Sequence, residues 1–67
     1  MEYRNLYDGH MLNAWTTEVG EGRWTWAFTI DDEAQVMHRG PPRTPEASVL
    51  EEAIAEARRT IDAYPKG

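Results

Sequence analysis

The chain has 67 residues, no cysteine, and twelve acidic against seven basic residues, for a formal charge of −5. Disulfides and thiolate metal sites are excluded, and two histidines, His10 and His38, offer little for a structural zinc. The acidic balance works against general nucleic-acid binding, and no run approaches the roughly 20 apolar residues of a membrane-spanning helix.

The first elements are strands. Glu2 to Tyr7 alternates loosely, with Tyr3, Asn5 and Tyr7 on one side, and Asp8-Gly9 is a turn signal. A second strand runs from His10 to Val19. In it Met11, Trp15, Thr17 and Val19 share one parity and Leu12, Ala14 and Thr16 the other. Gly20-Glu21-Gly22 predicts a hairpin loop. Arg23 to Ile30 then alternates strictly, with Trp24, Trp26, Phe28 and Ile30 on one face and Arg23, Thr25, Ala27 and Thr29 on the other. Asp31-Asp32-Glu33 makes a polar turn, and Gln35 to Arg39 returns as a short strand.

Gly40-Pro41-Pro42-Arg43 cannot continue a ladder. Thr44-Pro45-Glu46 reads as a helix start, with Thr44 as N-cap and Pro45 in the first turn. Ser48 to Glu51 has capping-box spacing and offers a later start, less favoured. The helix is expected over 45–64, ending at Pro65-Lys66-Gly67. Leu50, Ala53, Ile54, Ala57, Ile61 and Tyr64 form one apolar stripe, and Arg58–Asp62 has ion-pair spacing. The expected fold is a single α+β domain: a three- or four-stranded antiparallel β-meander with one C-terminal amphipathic helix on one sheet face. Small helix residues let the large sheet rings approach.

The sequence offers no catalytic constellation. Ser48 is the single serine and sits where capping explains it, and the histidines fall on different elements. Asp31, Asp32 and Glu33 lack the ligand spacing of a calcium loop, and Gly20-Glu21-Gly22 lacks the lysine and helix of a phosphate loop. No enzyme activity, cofactor or metal is therefore expected. Trp24, Trp26 and Phe28 could stack bases, but they are also the core that the chain needs. Pro42 to Pro45 has the spacing of a polyproline ligand, yet both prolines bound structural elements.

The second sheet face is more informative. Trp15 and Leu12 cannot both point at the helix, so one of them is left for solvent or for another chain. A domain of this size buries only about 60% of its unfolded surface, which favours a partner. The candidate partner-binding residues are Leu12 and Trp15 on the sheet, Glu52 and Glu56 on the acidic helix, and Arg39 and Arg43 in the small basic cluster with His38.

The segments "GRWTWAFTID" and "HRGPPRTPEASVLEEAIAEARRTID" resemble partial folds of HicB-like antitoxins and short bacterial proteins with a Gly-Arg-Trp strand and a Thr-Pro-Glu-Ala helix start. The resemblance spans about residues 22–63. It implies the meander-plus-helix fold and a protein-binding role, and transfers no site residue.

These readings converge on a small cytoplasmic, non-enzymatic interaction module that begins at Met1 as a whole short gene product. Its expected partners are a second copy, another protein, or both, with no membrane and with nucleic acid not expected. One alternative is an antitoxin-like or phage-type inhibitor whose acidic helix imitates nucleic acid. Another is weak nucleic-acid binding through Arg39 and Arg43.

Overall fold

The computed structural model describes residues 1–65; Lys66 and Gly67, part of the expected chain end, lie outside the described residues. Four strands, β1 (Glu2–Tyr7), β2 (His10–Glu18), β3 (Trp24–Ile30) and β4 (Val36–Met37), precede one helix, α1 (Glu46–Asp62). The strands form an antiparallel meander in the order β1-β2-β3-β4. The α+β architecture read from the sequence is the one found.

Each connection follows from local chemistry. Tyr7 pairs with His10 across Asp8-Gly9, both at positive φ (51° and 82°). That is the twist a two-residue hairpin requires, and Asp and Gly are residues that tolerate it. The β2–β3 loop closes through Val19 N–H to the Arg23 carbonyl (2.9 Å), with Gly20 and Gly22 at positive φ. The Glu18 carboxylate accepts the Gly22 N–H (3.0 Å) and fixes the loop further. At the β3 end, Asp31 and Asp32 both take left-handed φ (55° and 58°), a conformation that acidic turn residues accept at modest cost.

The fourth strand is shorter than the expected 35–39. After Met37 the ladder keeps one bond, His38 N–H to the Trp26 carbonyl (2.9 Å), and the chain then enters Gly40-Pro41-Pro42, whose prolines have no N–H to give. It rejoins the edge at Arg43, which exchanges both backbone bonds with Trp24 (2.8 and 2.9 Å). The outer edge of β3 is thus covered first by β4 and then by this strap.

The helix start also differs from expectation. Pro45, not Thr44, is the N-cap, and no side chain caps the helix. The Pro45 carbonyl accepts from the Ser48 and Val49 N–H groups (3.1 and 3.2 Å). Glu46 is held elsewhere: Thr16 Oγ1 donates to its Oε2 (2.6 Å), and the Met1 amine lies 2.7 Å from the same oxygen. The helix ends at Asp62, two residues short of the expected limit, where Ala63 N–H bonds back to Arg59 and Thr60 (3.2 Å each).

The core lies between α1 and one sheet face. Leu12, Ala14, Trp26, Phe28 and Ile30 from the sheet cluster with Val49, Leu50, Ala53, Ala57 and Ile61 from the helix. Val49 widens the expected stripe, whereas Ile54 and Tyr64 are only partly buried at its margin. Ala53 and Ala57 have no exposed surface at all, so their methyl groups set how closely the helix approaches the rings of β3. Trp26 and Phe28 stack at 5.8 Å between ring centroids and 20° between planes.

A larger group on the alanine seam forces the layers apart. Ala57→Leu should lower stability by about 1–3 kcal/mol. A shift of the urea midpoint to lower concentration checks this, and an unchanged midpoint would place Ala57 outside the tight contact.

Candidate functional site

The register assigns every sheet residue to a face. Leu12 is 1% exposed and belongs to the core, so Trp15 is the residue turned away from the helix. On this open face, Glu2, Trp15, Ala27 and Met37 form one row across the four strands. The next row is Arg4, Asn13 and Thr29, and the row beyond it holds Leu6 beside Met11. Leu6 and Met37 are exposed (64% and 57%), while Trp15 and Met11 are half-buried. Ala27 is 4% exposed although no helix covers it, because larger neighbours in the adjoining strands shield so small a side chain.

At the middle of this surface sits Asn13. Its amide oxygen is buried and has no hydrogen-bond partner, which no other buried side-chain N or O atom shares among the described residues. An amide oxygen in that condition costs about 1–3 kcal/mol relative to a satisfied one. The open face therefore combines an apolar rim with a polar atom that lacks a donor.

The polar candidates from the sequence are arranged differently. Glu52 and Arg43 are brought together: the Arg43 guanidinium pairs with Glu52 Oε2. Glu52 Oε1 accepts the indole N–H of Trp26 (3.3 Å) and lies 3.9 Å from His38 Nδ1. A buried tryptophan needs a partner for its N–H, and Glu52 supplies it from the helix. His38 rests against the Trp26 ring at 5.1 Å, and a Cβ on Gly40 would fall 2.7 Å from its Nε2. Gly40 thus leaves the imidazole room to sit there. Arg43, Thr44, Ser48, Val49 and Glu52 line a cleft of about 120 Å³ at the same place.

Glu56 is bound to Arg59 (2.5 Å) and not to a free surface. The expected Arg58–Asp62 pair is replaced by contacts to β1. Arg58 donates to the Tyr3 hydroxyl (3.3 Å) and lies 5.5 Å from the Tyr7 ring centre, and the Tyr7 hydroxyl donates to Asp62 (3.0 Å). That bond to a carboxylate raises the Tyr7 pKa, with Asp62's charge adding to the effect. Arg39 is exposed and has no ion-pair partner among the described residues. Of the six sequence candidates, Trp15 is the one that the register places on the open face. Leu6, Met11, Asn13 and Met37 were not singled out, although the parity shared by Met11 and Trp15 already placed them together.

No group of three or more His, Asp or Glu side chains among the described residues could hold a metal ion. No described helix is long and apolar enough to cross a membrane. No protein-family model, curated protein or solved structure matches the chain.

Two carboxylates act as pins between distant segments. Asp31 lies 2.6 Å from His10 Nδ1 and accepts the Met11 N–H (2.9 Å), and these bonds, the His10 bond first, hold its pKa below the usual range. Glu46 is lowered likewise by the N-terminal amine and then by Thr16. A carboxyl that ionises more readily when folded contributes stability above its unfolded pKa. That contribution disappears as pH falls through the lower folded value. Melting temperature should therefore decline below roughly pH 4. Asp31→Asn and Glu46→Gln should each flatten that decline in thermal scans between pH 7 and pH 3; an acid limb identical to the wild type would remove these pins from the explanation.

Proposed function

We infer that this chain is a small non-enzymatic interaction module that self-associates and covers another protein with the open face of its sheet. The observation that carries this reading is the open face itself, which gathers Leu6, Met11, Trp15 and Met37, with Leu6 and Met37 exposed. Apolar and aromatic groups gathered on one uncovered surface are what a protein interface uses at its centre. A protein-binding role is also what the resemblance to HicB-like antitoxins implies.

Other surfaces favour binding less. On α1, Glu46, Glu52, Glu56 and Asp62 are each engaged within the chain, which weakens an acidic helix that imitates nucleic acid. Arg43 is neutralised by Glu52, which leaves Arg39 as the one unpaired arginine of the basic patch among the described residues.

Immobilised wild-type protein should retain a protein from its native lysate at both low and high salt, because apolar contacts are not screened. Trp15→Thr and Met37→Thr should lose that protein while keeping a cooperative thermal transition. Equal retention by the variants, or retention that vanishes with salt alone, would contradict binding through this face. Asn13→Val removes the unpaired oxygen and suits a strand, so it should raise the melting temperature by roughly 4 °C or more. A drop in melting temperature would show that Asn13 is satisfied in solution.

A further inference from the structure

The sheet has two edges, and they are treated differently. The edge of β3 is closed by β4 and by the Arg43 strap, but β1 is six residues long, contains no proline, and is covered by no other segment among the described residues. Long uncovered edge strands are the usual templates for pairing with another chain.

The backbone of β1 shows which groups are on offer. Thr16 N–H donates to the Met1 carbonyl (3.0 Å), which places the odd-numbered residues of β1 in hydrogen-bonded positions facing β2. The N–H and C=O groups of Glu2, Arg4 and Leu6 then point away from the sheet. The Leu6 N–H is already occupied by its neighbour's side chain, Asn5 Oδ1, at 2.8 Å. Glu2 and Arg4 are left with open backbone groups, and their side chains have no ion-pair partner among the described residues.

We propose that two copies of this chain pair antiparallel through β1, with Glu2 of each copy opposite Arg4 of the other and Tyr3 opposite Tyr3 on the twofold axis. The register is selected by two separate features. Shifting it by two residues sets Arg4 against Arg4, and like charges directly opposite destabilise a pair. That shift and the next one both require the Leu6 N–H, which Asn5 holds. In the favoured register the open backbone groups of Glu2 and Arg4 bond to each other, and two opposite-charge pairs form on the open face. The Tyr3 pair falls at a non-hydrogen-bonded position, where facing side chains are closest. The product is a continuous eight-stranded sheet whose two open faces join into one platform.

This inference rests on the self-association in the functional reading, but not on what the open face binds. Light scattering across a dilution series tests it with a charge-swap set: wild type, Arg4→Glu, Glu2→Arg and the double variant E2R/R4E. The wild type should reach twice the 7.7 kDa of one chain. Each single reversal sets like charges opposite and should weaken dimerisation roughly tenfold, and the double variant should restore it. Both substitution sites are exposed, and circular dichroism of each variant is the check that it is folded. A wild type that stays monomeric at high concentration overturns the proposal. So do single reversals without effect, or a double variant that fails to recover. Met37→Thr, at the far edge of the sheet from β1, should dimerise like the wild type; if it is monomeric, the copies meet at the open face and the β1 pairing is wrong. Loss of lysate retention in Met37→Thr with the dimer intact separates the partner face from the β1 edge.

Discussion

Ala53 and Ala57 are the residues on which the rest of the structure depends. A chain this small has one helix with which to build a core, and that helix must lie close to the sheet to exclude water from it. Two fully buried methyl groups permit the approach, and the bulk is supplied from the other side by Trp26, Phe28, Ile30 and Leu12. The volume is divided so that the sheet carries the large rings and the helix the small groups. Once the helix is seated in this way, one sheet face is used up and the opposite face has no second helix to cover it.

The polar groups follow from that seating. Glu52 faces the edge of Trp26 and receives its N–H, which draws Arg43 to the same carboxylate and leads the strap back along β3. Tyr3 and Tyr7, at the far side of the sheet, take up Arg58 and Asp62. Much of the charge on the inner side of α1 is thereby spent within the chain. Among the described side chains with nothing to hold, Leu6, Met37, Glu2 and Arg4 lie on the open face and along β1.

Much of this was legible in the sequence, because the signals were local. Asp8-Gly9, Gly20-Glu21-Gly22 and the alternation from Trp24 to Ile30 each specify their own geometry. The alanine spacing on the helix anticipated the core. Less legible were features set by the path of a distant segment. The Glu52–Arg43 pair depends on where the Gly40–Thr44 strap returns, and no periodicity encodes that path. Arg58 and Asp62 had ideal spacing for each other, yet two tyrosines from the first strand came within reach and offered better geometry. Thr44 looked like an N-cap, and Pro45 took the position while Glu46 was drawn toward Thr16. The parity of β2 showed that Leu12 and Trp15 divide between the faces, but only packing against α1 decided which went where.

The division of labour between the two faces is tested most directly by comparing Trp15→Thr with Trp26→Thr in thermal unfolding followed by circular dichroism. Threonine suits a strand in both places, so the comparison isolates burial from strand preference. Trp26→Thr should cost about 3–5 kcal/mol and broaden or abolish the cooperative transition, whereas Trp15→Thr should keep a sharp transition within several degrees of the wild type. Equal losses at the two positions would mean that the open face is part of the core and that no surface has been left for a partner.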